Sequence, residues 1–108
     1  MSDLPEFRAR PRQQVESFAR VVFNNEPGRN TTHLFQLIDY PDGHYRAIFK
    51  PSYFILPEGQ TVPSKSQWSS LKKKMKRHDH QVFVFKAYGE VPCGQERCYY
   101  LDFGFFAH

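Results

Sequence analysis

No unbroken apolar run in the chain exceeds four residues, as at Tyr53–Leu56. A helix needs roughly 20 apolar residues to cross a bilayer, so no membrane span is expected. No secretory leader is expected either. Charges at Asp3, Glu6, Arg8, Arg10, Arg12 and Glu16 crowd the first twenty residues, and no apolar segment of seven or more follows them. The expected location is cytoplasmic. Cysteine is scarce, two in 108 residues, which does not match the dense disulfide framework of small secreted scaffolds. Signatures of catalysis are absent too: there is no glycine-rich phosphate loop, no Gly-x-Ser-x-Gly turn and no His-Glu-x-x-His helix. The carboxylates are scattered. No catalytic residue, metal site or cofactor is assigned, and an enzyme ranks behind the two binding readings given below.

The most local absence is of acid. Between Gln60 and His78 there is no Asp or Glu, while six of the fifteen basic residues (Lys65, Lys72, Lys73, Lys74, Lys76 and Arg77) fall in that interval. The net charge is only +4 and the pI about 9.2, so what distinguishes the chain is the placing of its charge. Aromatic residues are plentiful, with eleven Phe, six Tyr and one Trp. Each buries a large area, so they supply a core to a single domain of this length despite a mean hydropathy of −0.65.

Residues 1–10 read as a flexible N-terminal arm, and 11–108 as one α+β domain. After Pro11, the residues Val15, Phe18, Ala19 and Val22 share one helical face, which predicts a helix from Arg12 to about Asn24. The stretch Asn24–Gly28 stops it, because Pro27 and Gly28 both oppose continuation. His33–Tyr40 and Tyr45–Lys50 flank Pro41-Asp42-Gly43, whose proline, Asx side chain and glycine are turn chemistry. They predict a hairpin. Tyr53–Leu56 forms either a fifth short strand or a continuation of the second. Ser64 or Ser66 is placed to cap a second helix that Asp79 and His80 end. Val82–Tyr88 and Arg97–Phe106 predict a second hairpin across Gly89–Glu96. The expected fold is a four- to five-stranded, mainly antiparallel sheet with two helices on one face, in the order α-β-β-(β)-α-β-β. Aromatics at both strand parities leave the other face apolar as well.

On the second helix, Trp68, Leu71 and Met75 recur at spacings of three and four, so they form a narrow inward stripe. Lys72, Lys73, Lys74, Lys76 and Arg77 take the rest of the circumference. Like charges on adjacent turns weaken an isolated helix, and a merely solvated face usually mixes both signs. The enrichment in one sign therefore suggests a surface for phosphates or for an acidic protein. Exposed tyrosines beside it would stack on unpaired bases, and Tyr45, Tyr88 and Tyr99 are the candidates, with Tyr53 and Tyr100 behind them. Known RNA-binding patterns are not met: Gln81–Tyr88 lacks the Lys/Arg-Gly start of an RNA-recognition-motif strand.

Cys93 and Cys98 flank the second hairpin's connection as reduced thiols, as a local bridge or, least favoured, as half of a zinc site with His78 and His80. The length of the strand between the pairs opposes the zinc reading. Asp102 lies between Leu101 and Phe103, and if buried it needs a partner such as Arg46 or Lys50. Two functions remain. The first is a non-catalytic module that contacts nucleic acid, RNA or single strands favoured, through Lys65, Lys72, Lys73, Lys74, Lys76 and Arg77. The second is a protein-interaction or regulatory module, as a homodimer through the aromatic sheet face or against an acidic partner.

Overall fold

The computed structural model describes residues 6–24 and 28–106. Residues 1–5 of the expected arm, Asn25–Pro27 of the helix-ending turn and His108 lie outside them. The elements are α1 (Arg12–Phe23), β1 (Phe35–Asp39), β2 (Tyr45–Phe49), α2 (Lys65–His78), β3 (Val82–Cys93) and β4 (Glu96–Phe105). The four strands form one antiparallel sheet in the order β1-β2-β4-β3. Tyr53–Leu56 adds no fifth strand. Pro51 starts a single 3-10 turn through Tyr53 instead, and the chain leaves the sheet there.

Strand alternation decides which face is covered. Tyr45, Ala47 and Phe49 of β2 and Tyr99, Leu101, Phe103 and Phe105 of β4 all point to one side, where they pack on Val15, Phe18, Ala19, Val22 and Phe23 of α1 and Trp68, Leu71 and Met75 of α2. Both helices therefore lie on the same face. Seven of these side chains, including Phe49, Leu101, Phe103, Phe105 and Met75, are at 0 % exposure, so the aromatic content is spent mainly on one core.

The second hairpin differs from expectation. β3 runs on to Cys93, and the connection shrinks to Gly94 and Gln95. Gly89 and Pro92 suggest a loop, yet both are accommodated in the strand. β3 is an edge strand, where the missing N–H of Pro92 is tolerated. Gly89 sits under the Tyr100 ring: a Cβ there would lie 2.1 Å from Tyr100 Cζ. Two register shifts, at Val84/Lys86 and Ala87/Gly89, interrupt the ladder, and bulges of this kind bend a strand and sharpen its twist.

From Phe7 onward the chain lies against the sheet. Arg8 N–H donates to the Phe105 carbonyl at 2.9 Å, and Phe7 pairs with Phe106. The Phe7 ring occupies the space above Gly104, beside Phe83 and Phe85. Arg10 closes the strap by stacking on Phe105 at 3.8 Å and pairing with Asp79 at 2.5 Å. A segment of alternating charge thus makes aromatic contacts and an ion pair with residues some 70 positions away in sequence.

Candidate functional site

Helix α2 begins where the hydroxyl chemistry predicts. Ser64 Oγ accepts from Gln67 N–H, and the Gln67 side chain accepts from Ser64 N–H, a reciprocal capping box that satisfies two otherwise orphaned donors. Asp79 ends the helix. Trp68, Leu71 and Met75 face inward at 4, 6 and 0 % exposure. The cations take the other sides. Lys65, Lys73, Lys76 and Arg77 are exposed, and Lys72 and Lys74 are half-buried along their stems.

Ion pairing separates these cations from four of the arginines. Arg10 pairs with Asp79, Arg12 with Glu16 and Asp39, Arg46 with Asp102, and Arg97 with Glu90. None of Lys65, Lys72, Lys73, Lys74, Lys76 and Arg77 has a carboxylate partner among the described residues. Lys76, Arg77 and His78 occupy the last turn, where positive charge offsets the helix dipole. Lys72, Lys73 and Lys74 lie too far from the C-terminus for that to account for them.

The three stacking candidates separate by burial. Tyr45 is 3 % exposed and its hydroxyl accepts from Arg10 N–H at 2.9 Å, and Tyr99 is 5 % exposed. Both rings belong to the core, so neither has a face open for a base. Tyr53 packs against Phe49 and Phe54, and Tyr100 lies under Arg46. Tyr88 is different, at 48 % exposure. It is the extra residue of the second β3 bulge, with φ of +72°, the only non-glycine residue at positive φ among those described. Its ring meets Trp68 edge-on at 6.1 Å and lies parallel to Tyr99 at 6.5 Å.

The opposite face of the sheet carries a second polar arrangement. Asp102, 3 % exposed, accepts two hydrogen bonds from Arg46, at 2.7 and 3.0 Å. Those bonds raise the Arg46 guanidinium above its ordinary value against the opposing effect of burial. Arg46 also stacks on Tyr100 at 3.8 Å, with Lys86 on the same ring at 5.3 Å. The acid in an apolar strand has thus found one of its expected partners.

Cys93 and Cys98 are joined in a disulfide across the hairpin. Beside it opens a cleft of about 450 Å³ lined by His33, Phe35, Ile48, Lys50 and Glu96. Among the described residues, no three His, Cys, Asp or Glu side chains come together as a metal site, and no helix is long and apolar enough to cross a membrane. Reading the sequence missed the Arg10 strap and the Tyr88 bulge. Gly89 within a strand pattern was the available signal for the bulge, since an isolated strand glycine marks one. No protein-family model matches the chain, and neither does any curated protein or solved structure.

Proposed function

We propose that this protein is a non-catalytic binding module that sets the cation face of α2 against nucleic acid, with RNA or single strands favoured over duplex. The observation that carries the reading is the clustering, on one helix, of cations with no carboxylate partner among the described residues. Four arginines elsewhere have carboxylate partners, whereas the six cations of α2 have none among the described residues. Keeping such charges together on a helix is unfavourable without a counter-charge. A polyanion provides one and gains affinity by releasing its condensed counterions. The helix is also well held, by the capping box at one end and Trp68, Leu71 and Met75 along its length, so little ordering cost opposes binding. This reading places the activity in the cytoplasm.

Salt-dependent binding tests it. Log affinity should fall with log salt at a slope of roughly −0.7 to −0.9 per phosphate neutralised. Replacing Lys72, Lys73, Lys76 and Arg77 with Gln should flatten that slope and leave the thermal transition in place. Equal binding by the quadruple variant would refute the proposal. The alternative, a protein partner or second copy on the far sheet face, has less support. Phe7 already fills the Phe83/Phe85 end of that face, and Arg46 and Lys86 lie over Tyr100. A mass that rises with concentration in light scattering, together with no oligonucleotide shift at low salt, would favour it.

A further inference from the structure

We infer that Tyr88 is a stacking platform for one unpaired nucleobase, and that the ligand of the α2 face is therefore single-stranded nucleic acid. This rests on the cation-face reading and makes it specific. Five observations lead to it. Tyr88 holds φ of +72°, a backbone conformation that a residue with a Cβ occupies only at a cost and that Gly or Asn tolerates better. Strain of this kind persists where the surroundings impose it, and it points to a functional role when the strained side chain is also presented outward. The surroundings here do impose it: the Tyr100 ring leaves no room for a Cβ at position 89, so Gly89 lies under the ring and the extra residue of the bulge is Tyr88. Tyr88 is also 48 % exposed, and among the described residues it is the only aromatic of the large exposed apolar residues, the others being Val21, Ile38 and Ile55.

The ring is backed on its inner side. Trp68 meets it edge-on and Tyr99 lies parallel to it within 5°, so its orientation is set by the core. Trp68 also ties the platform to the charge. Lys65 and Lys72 are its i−3 and i+4 neighbours on α2, so both lie within one turn of the residue that touches Tyr88. Lys65, Lys72 and Lys76 recur along one flank of the helix. The opposite flank, with Leu71 and Lys74, faces Tyr53–Ile55 across a cleft of about 230 Å³. The flank toward β3 and Tyr88 is thus the Lys65–Lys72–Lys76 row. Glu90, two residues along β3, is tied to Arg97 at 3.4 Å. An aromatic plane beside a row of ammonium groups suits a ligand that offers a flat π-face and phosphates together. A duplex keeps its bases stacked internally and has no free face to offer.

The test measures binding of a labelled single strand of about twelve nucleotides, within the usual site sizes, and of its duplex at matched salt, to wild type, Tyr88→Ala, Tyr88→Phe and Tyr88→Gly. Wild type should prefer the single strand. Tyr88→Ala should lose roughly tenfold to a hundredfold on the single strand and stay within about twofold on the duplex, where only phosphate contacts operate. Tyr88→Phe should retain affinity. Tyr88→Gly relieves the backbone strain, so it should melt no lower than Tyr88→Ala while losing the same affinity, which separates a binding defect from a folding one. The fluorescence of Trp68, the only tryptophan, should change on binding the single strand. Equal affinity for strand and duplex, or full single-strand affinity in Tyr88→Ala, overturns the inference. If the lysine and arginine substitutions still abolish binding in that case, the cation-face reading survives it. Wild type that binds neither oligonucleotide, but does bind anionic vesicles or an acidic protein, overturns both.

Discussion

Replacing Arg46 with Met should destabilise the protein more than replacing its partner Asp102 with Leu, and the reason is an asymmetry of burial. The Asp102 side chain is 5 % exposed and that of Arg46 23 %. Removing the guanidinium leaves a carboxylate with almost no access to water. Breaking a buried pair in this way costs about 3–5 kcal/mol. Removing the carboxylate leaves a cation that reaches solvent at its edge and keeps its stack on Tyr100 at 3.8 Å, so about 2 kcal/mol is expected. Lys86, across from Asp102 on β3, is the cation placed to compensate, and adding Lys86→Met should deepen the Arg46→Met loss. The double replacement Arg46→Met/Asp102→Leu removes both charges and should return to within about 1 kcal/mol of the wild type. Urea melts of all four proteins complete the double-mutant cycle. In thermal melts each kcal/mol corresponds to about 4–8 °C at this size. Oligonucleotide binding by the double variant should be unchanged, because the pair lies on the sheet face away from α2. Single variants that both fall within about 0.5 kcal/mol of the wild type, or an Asp102→Leu loss larger than that of Arg46→Met, would refute the reasoning.

Two further outcomes follow from other parts of the fold. Cys93→Ser/Cys98→Ser, or reduction by a dithiol, opens a loop of sequence separation 5; loop-closure entropy for so short a span predicts a loss of about 2 kcal/mol in a urea melt, with the hairpin retained by its backbone ladder, so reduction weakens the protein without unfolding it. Acid should destabilise it through Asp79. Burial pushes that carboxyl upward, but hydrogen bonds from the Arg10 guanidinium and Gln81 N–H, with the charges of Arg10 and His78, outweigh it and hold the group below its ordinary 3.8. The unfolded chain therefore takes up the proton first. The stabilisation is complete above about pH 5, falls as the pH drops below about 4 and is gone once the folded group protonates. Asp79→Asn should flatten this acid limb in urea melts taken from pH 6 to pH 3, and an unchanged limb would exclude the Arg10–Asp79 contact as its source.

Much of the architecture was legible because it follows from local rules. The 3.6-residue period of Val15, Phe18, Ala19 and Val22 and of Trp68, Leu71 and Met75 specified two helices and their buried faces. The Pro41-Asp42-Gly43 turn specified the first hairpin, and Ser64 the start of α2. A charged residue between Leu101 and Phe103 required a partner before one was visible. The second hairpin was misread for a physical reason. Gly89 and Pro92 break strands on average, yet Gly89 makes room for the Tyr100 ring and Pro92 sits on an edge, and both facts depend on strand order.

The sequence alone determined that α2 carries five cations around an apolar stripe, because helical periodicity and charge are properties of neighbouring residues. It could not determine which aromatics belong to the core. Tyr45, Tyr88 and Tyr99 are chemically alike, and only the packing of two helices on one sheet face buries the first and last while leaving Tyr88 half exposed. Nor could it determine that the α2 cations lack carboxylate partners among the described residues while Arg10, Arg12 and Arg46 have them, since Arg10–Asp79, Arg12–Asp39 and Arg46–Asp102 bridge residues that are distant in sequence. The tertiary structure decided both points, because burial and long-range ion pairing exist only once the elements have packed together.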